Sequence, residues 1–340
     1  MAARALQVAH ASAVLIVPVD GASRRRIIYT WANRRGGDAR RRCRASADHR
    51  DVNSMPAISF LMAAFKRSRF AMAALESLKA QTMPDWELIV APDDGEDYRD
   101  LAHADARVKV AHSSAVRTGP AHARNRALEI ACGELIAVLD DDDCVEPAFV
   151  AQALAYFKSH PTNFVTVPTE YFNHQTGAVV RQIGQFPAMG IDRFGLEFGT
   201  MHAIGRRCVY PEWKPGFAED VMHTCKCIDL AGGEITVLPD ANYRLRLHPD
   251  SLCATSDGPS ISQSYRNLKA NLPYDMSNAG ARLTRELLQR RIRMNEAFWG
   301  QAGDRGYHEF VKRHGQAWRE PAQNAEAHVS VWHLGNSSAC

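Results

Sequence analysis

Four consecutive carboxylates, Asp140 to Asp143, directly follow the apolar run Leu135-Ile136-Ala137-Val138-Leu139. An apolar run of that length reads as a short buried strand, so the aspartates emerge together at its carboxyl end. Oxygen ligands clustered this closely repel one another unless positive charge sits among them. Mg2+ or Mn2+, held by one or two carboxylates plus phosphate oxygens, is the usual neutraliser. The chemistry implied is a metal-held diphosphate. A second reading stands beside it: the turn simply caps the helix that Pro147 begins, since Asp is favourable at a helix N-terminus. Another acidic turn, Asp93-Asp94-Gly95, closes the run Glu87-Leu88-Ile89-Val90-Ala91 and Pro92, and an acidic pair, Glu219-Asp220, opens a probable helical segment.

The elements that must position these groups follow from hydrophobic period. Ile58 to Ala64 reads as a buried strand, and Phe70, Ala71, Ala74, Leu75 and Leu78 then recur at helical spacing until Pro84. Glu87 to Ala91 is a second strand, Val108-Lys109-Val110 a third, and Glu134 to Leu139 a fourth. Between the last two lies an Ala-rich helix from Pro120 to Ala131, with Pro in its first turn and Gly133 just past its end. Strands alternating with helices predict a mostly parallel sheet covered on both faces, with ligands outside the strands' carboxyl ends. After a helix from Pro147 to about His160, Phe164 to Asn173 and Ala178 to Ile183 read as an antiparallel hairpin turning at Gly177. Thr200 to Tyr210, Ile235 to Leu238 and Tyr243 to Leu247 are further extended stretches. From Ser262 the chain is polar, with an amphipathic helix expected at Ala281 to Phe298 and little order after Trp318.

Composition bounds the function. The 340 residues are 46% hydrophobic and 23% charged, enough for a real core and unlike a fibrous or disordered chain. No apolar stretch approaches the ~20 residues of a membrane span, so the chain reads as soluble and cytoplasmic. Eight scattered cysteines without a CxxC pair read as reduced thiols rather than a zinc or disulfide framework, and Cys225-Lys226-Cys227 has too short a spacing for either. The net charge of +3 is uneven: residues 1–54 carry 11 Lys and Arg against 4 Asp and Glu, which leaves 30 against 34 for the rest. That basic segment lacks an apolar period. It reads as a disordered leader or upstream translated sequence, with a transit peptide or an anion-binding tail as the alternatives. The expected layout is therefore a leader at 1–54, one catalytic domain at 55–255 and a helical extension at 256–340.

Five separated segments, in order, resemble the GT-A-fold inverting glycosyltransferases of family 2. They are Ala74-Leu75-Glu76-Ser77-Leu78-Lys79-Ala80-Gln81-Thr82 with Pro84; Glu87-Leu88-Ile89-Val90 with Asp93-Asp94-Gly95; Gly119-Pro120-Ala121-His122-Ala123-Arg124-Asn125; Leu139 to Asp143; and Glu219-Asp220 followed by Tyr243 to His248. The resemblance spans roughly residues 56–255. It implies an α/β, Rossmann-like GT-A fold: a mostly parallel sheet with helices on both faces, a small antiparallel acceptor-side part and C-terminal helices.

The same resemblance implies roles. Asp93, with Asp94 as the neighbouring alternative, accepts from the nucleobase; Ala63 and Phe65 lie where the family reads Pro-Thr-Tyr-Asn, so a threonine contact is lost while Phe65 keeps a stacking surface. Arg124 is a base- or phosphate-side contact. Asp140 lies nearer the ribose, Asp142 is the direct metal ligand, and Asp141 and Asp143 support the turn. His248 is a metal or phosphate contact. Asp220 is the general base for the acceptor hydroxyl. The implied cofactor is Mg2+ or Mn2+, the donor a nucleotide-diphosphate sugar, UDP-sugars first, and the acceptor a glycan or lipid-linked saccharide. No nucleic-acid partner is expected. A peripheral membrane contact through Arg285, Arg290, Arg291 and Arg293 is one option for the extension, a solvated helical face the other. Gln316-Ala317-Trp318-Arg319 resembles a motif of processive synthases too faintly to carry weight. Two rival classes remain: a non-catalytic nucleotide-sugar or interaction module, and a sugar nucleotidyltransferase, against which the missing glycine-rich basic loop after Ala64 counts.

Overall fold

The computed structural model describes residues 55–66, 68–249, 251, 257–300 and 306–315. The expected leader at 1–54, the segment 316–319 and the tail beyond it lie outside the described residues. Strand β1 (Ile58–Ala64) is flanked by β2 (Trp86–Pro92) and β4 (Leu135–Val138), and β3 (Val108–Val110) lies outside β2, all four parallel. Every residue of β2 is buried, as a strand covered on both faces requires. Helix α1 (Ser68–Lys79) covers one face with Ala71, Ala74, Leu75 and Leu78, all fully buried. The short helix α2 (Arg99–Ala104) precedes β3, and α3 (Pro120–Ile130) covers the opposite face through Ala121, Ala123 and Ala127. Those small side chains let α3 lie close to the strands.

Beyond β4 the sheet becomes mixed. Its full order is β3-β2-β1-β4-β10-β6-β11-β9, where β6 is Phe164–Thr166, β9 Ala188–Gly190, β10 Ala203–Arg206 and β11 Glu234–Val237. Strand β10 runs antiparallel to both β4 and β6, while β6 and β11 are the one further parallel pair of this sheet among the described residues. A second sheet, β5-β12-β7-β8, comprises Cys144–Val145, Tyr243–Leu247, Thr169–Asn173 and Val179–Ile183. The stretch expected as one strand from Phe164 to Asn173 is thus two strands in different sheets. Pro168 separates them, because it cannot donate to a ladder and so marks where the chain leaves one sheet for the other.

Helix α4 (Phe149–Ser159) follows β5, α5 (Ile191–Glu197) follows β9, and α6 (Glu219–Leu230) precedes β11. The extension holds α7 (Gly258–Ala270), α8 (Asn278–Gly300) and α9 (Tyr307–His314). Leu287 and Leu288 of α8 join the same core as Phe194 of α5 and Val221 of α6. The extension is packed on the preceding helices and sheet rather than appended to them. Arg291 is 5% exposed and belongs to that packing, which corrects the expectation of a four-arginine face; Arg285 and Arg293 are exposed. Cys144, Cys208, Cys225 and Cys227 are free, but Cys132 is disulfide-bonded, so the expectation of uniformly reduced thiols does not hold.

Candidate active site

The four aspartates leave β4 in four directions, and each is committed to a different partner. Asp140 Oδ1 accepts from Arg124 Nη2 at 2.6 Å. Asp141 Oδ2 accepts from the Phe65 amide at 2.8 Å, tying the acidic turn to the end of β1. Asp142 Oδ2 lies 2.9 Å from His248 Nε2. Asp143 accepts from the Tyr243 hydroxyl and the Arg246 amide, both at 2.8 Å. The Tyr243 hydroxyl also accepts from the Asp140 amide, so this buried ring closes the turn on both sides. Strand β12 therefore latches the carboxylates, and Arg246 Nε adds a bond to the Asp142 carbonyl at 2.7 Å.

These environments separate the four acids electrostatically. Burial opposes ionisation of Asp140, but the Arg124 guanidinium and His202 outweigh it and hold that carboxyl well below the usual range. His202 Nε2 lies 3.6 Å from the other oxygen, close enough for attraction and too far for a hydrogen bond. Burial, and then the charges of Asp142 and Asp140, push Asp143 well above its ordinary value. The cluster lowers its own repulsion by keeping one member tightly ion-paired and making another reluctant to ionise.

Arg124, 4% exposed on α3, also donates to Glu219 Oε1 at 2.9 Å. It bridges the first acidic turn to the start of α6. Burial pushes Glu219 up despite Arg124 opposite it, and the neighbouring Asp220 charge adds to the rise. Ala218, the residue before this pair, has φ 54°, a left-handed conformation that costs an L-residue roughly 1–2 kcal/mol. That turn aims Asp220 toward the loop before β10, where Thr200 Oγ1 donates to its Oδ2 at 2.7 Å.

At the carboxyl end of β2, Asp93 is 4% exposed and accepts from the Thr118 amide and hydroxyl at 3.0 and 2.5 Å and from the Gly119 amide at 2.7 Å. Burial raises its pKa, but these donors and Arg126 outweigh that and hold it low. Asp94 accepts from the Lys66 and Glu96 amides and the Tyr98 hydroxyl. Both acids anchor loops beside the end of β1, where Phe65 is 40% exposed and Ala63 half-buried. Sequence reading assigned Asp93 a base contact; in the structure most of its acceptor capacity holds the 117–119 loop.

The donor set suits a hard cation in one respect. An octahedral ion with ligands at 2.0–2.1 Å separates adjacent ligand atoms by about 3.0 Å, and Asp142 Oδ2 and His248 Nε2 stand 2.9 Å apart. His248 is 6% exposed with its ring against Phe70, and its Nδ1 has no hydrogen-bond partner among the described residues. Among the described residues no group of three His, Cys, Asp or Glu side chains is arranged to hold a metal unaided. The pair fits an ion that takes its remaining ligands from a diphosphate and water.

Residues 59–211 match Glycosyl transferase family 2. The chain carries a family 2 glycosyltransferase domain. It is 36% identical over 89 residues to the Escherichia coli UDP-Glc:alpha-D-GlcNAc-diphosphoundecaprenol beta-1,3-glucosyltransferase WfgD, covering 25% of this chain and 35% of that one. It is 32% identical over 94 residues to the GalNAc(5)-diNAcBac-PP-undecaprenol beta-1,3-glucosyltransferase of Campylobacter jejuni subsp. jejuni serotype O:2 (strain ATCC 700819 / NCTC 11168), covering 26% and 30%. The chain thus spans about a third of the length of these relatives. Among solved structures, S. aureus TarS 1-349 in complex with UDP-GlcNAc superposes with a TM-score of 0.55 at 19% identity, over 69% of this chain and 72% of that one. The fold of this family 2 domain is GT-A.

Two site residues escaped sequence reasoning, and a third was seen without its partner. His202 reaches Asp140 only because β10 runs antiparallel to β4, an arrangement without local signal. Thr200 meets Asp220 across 20 residues of irregular chain. Glu219 was visible beside Asp220, but its partner Arg124 lies 95 positions away.

Proposed function

We propose that the chain is a metal-dependent, inverting glycosyltransferase that moves a single sugar from a nucleotide-diphosphate sugar, a UDP-sugar by preference, to an acceptor hydroxyl in polysaccharide or glycolipid assembly. The observation that carries this reading is the pairing of Asp142 with His248 at 2.9 Å in the same acidic turn that Arg124 ties, through Asp140, to Glu219. Mg2+ or Mn2+ held by Asp142 and His248 would offset the negative charge gathering on the departing diphosphate. Arg124 keeps Asp140 ionised beside it, on the ribose side of the donor. Phe65 offers an exposed ring to the base, and the loop pinned by Asp93 lines its edge.

Asp220 takes the proton of the acceptor hydroxyl as that oxygen attacks the anomeric carbon from the face opposite the diphosphate. One in-line displacement forms the new carbon–oxygen bond, breaks the bond to the diphosphate and inverts the configuration. The Escherichia coli relative, named for UDP-Glc, supports UDP-sugars, and both undecaprenol-linked glucosyltransferases support lipid-linked saccharides, as the first substrates to try. Among the described residues no helix is long and apolar enough to cross a membrane. A lipid-linked acceptor would bring the chain to a membrane surface, where exposed Arg285 and Arg293 offer cations to anionic headgroups.

The test is product analysis with UDP-glucose, UDP-N-acetylglucosamine and GDP-mannose against undecaprenyl-diphosphate saccharides. Proton NMR should show the new linkage with the opposite anomeric configuration to the donor, and Asp220→Asn should abolish it. Retained configuration would refute inversion. Donor binding without turnover on every acceptor would favour the non-catalytic reading.

A further inference from the structure

Two arginines lie buried, one on a strand and one on a helix, rather than on the surface where this residue is usual. Arg181 on β8 and Arg291 on α8 are 8% and 5% exposed. Each grips a backbone carbonyl of one short loop: Arg181 Nη1 donates to Phe198 O at 3.2 Å and Arg291 Nη2 to Gly199 O at 2.6 Å. On the other side of that peptide, the Thr200 amide donates to the Tyr171 hydroxyl at 2.7 Å. Phe198 itself is left-handed, at φ 47°. Three consecutive residues are thus held by groups from β7, β8 and α8, and the last of them puts its hydroxyl on Asp220.

Gly199 shows how closely the loop is fitted. A Cβ there would stand 2.4 Å from the Tyr171 hydroxyl and 2.8 Å from Ile183 Cδ1. Any side chain would displace the tyrosine from the Thr200 amide.

We infer that Thr200 is a positioning residue for the base Asp220, and that Tyr171, Arg181 and Arg291 hold Thr200 in place, so the C-terminal helix α8 is part of the catalytic apparatus. The inference rests on the reading of Asp220 as base. It places a working part of the enzyme outside the family match, which ends at residue 211. A carboxylate whose Oδ2 accepts from Thr200 presents its other oxygen to the acceptor in one orientation, and orientation of that kind is worth about a hundredfold in rate.

The experiment compares wild type, Thr200→Val, Thr200→Ser, Arg291→Met and Asp220→Asn. The probe is nucleoside diphosphate release from UDP-glucose, UDP-N-acetylglucosamine and GDP-mannose, with water and with an undecaprenyl-diphosphate saccharide as acceptors. UDP binding by calorimetry serves as the check that each variant is folded. Thr200→Val should lower kcat about tenfold or more with donor KM within about twofold, and Thr200→Ser should restore most of it. Arg291→Met should lower kcat in the same direction while still binding UDP. If Asp220→Asn turns over normally, or no donor binds or is turned over by wild type, the base assignment falls and the inference with it. If Asp220→Asn is dead but Thr200→Val matches wild type, or Thr200→Ser is as poor as Thr200→Val, the positioning role alone is overturned.

Discussion

Replacing Arg124 by methionine keeps most of the side-chain volume and removes the charge that Asp140 and Glu219 share. The bridge consists of two charge-assisted hydrogen bonds, at 2.6 and 2.9 Å, from a guanidinium 4% exposed. Breaking a buried pair by deleting one partner costs about 3–5 kcal/mol, because the other charge is left without compensation. Here two carboxylates are left, but the Asp140 side chain is 26% exposed and regains some hydration, which places the expectation near 3 kcal/mol. For a chain of 340 residues, with an unfolding entropy of about 2.1 cal/mol/K per residue, that is a fall in Tm of roughly 4 °C.

The pH dependence fixes the mechanism. In the wild type Asp140 titrates below its unfolded value, so its contribution is fully present above about pH 4 and is lost as pH falls through the lower folded value. Without Arg124 both carboxylates bind protons more readily, and Glu219 is already raised by burial. The stability gap between Arg124→Met and wild type should therefore be widest at pH 7–8 and narrow toward pH 5. Urea unfolding at pH 5, 6, 7 and 8 reads it directly, and adding Glu219→Gln should recover part of the loss at pH 7. A loss below about 1 kcal/mol, or a gap independent of pH, would refute the electrostatic account of the bridge.

Other expectations follow from buried groups away from the bridge. His223, 2% exposed and stacked on Trp213 at 3.9 Å, is pushed down by burial to about 3. The unfolded chain then binds a proton below about pH 6.5 that the native one refuses, so stability falls with pH at roughly 1.4 kcal/mol per unit, about 2 kcal/mol by pH 5. His223→Gln should flatten that part of the acid dependence in thermal unfolding; an unchanged slope would exclude the histidine. A Cβ on Gly133 would stand 2.6 Å from the Ser59 amide nitrogen and 2.8 Å from the Ile58 carbonyl carbon. Gly133→Ala should cost about 1–3 kcal/mol in urea unfolding by forcing the 132–134 turn off β1, and a neutral result would mean that the turn shifts freely.

How much of this was legible in the chain depends on sequence distance. The first four strands and helices α1 and α3 followed from local apolar period, the short α2 did not, and the acidic motifs fell at the carboxyl ends of strands or at a helix start. Helix α7 was missed although Asp257 caps it by accepting from the Ser260 amide, Pro259 stands in its first turn, and Ile261, Tyr265 and Leu268 share one face. Its polar composition hid the period. Switching of the chain between sheets at Pro168, the antiparallel β10 and the burial of Arg291 are outcomes of tertiary pairing that no window of sequence contains. The same holds for the site. Asp142, Asp220 and His248 could be named from their motifs, whereas His202 and Thr200 were placed by the pairing of β10 and its preceding loop.

The most direct test of the central claim is calorimetric titration of UDP with and without Mn2+ into wild type, Asp142→Ala and Asp220→Asn. The metal-held diphosphate account predicts Mn2+-dependent binding to wild type and Asp220→Asn, and its loss in Asp142→Ala. Binding that is indifferent to both Mn2+ and Asp142, or no UDP binding to wild type with the metal present, would contradict it.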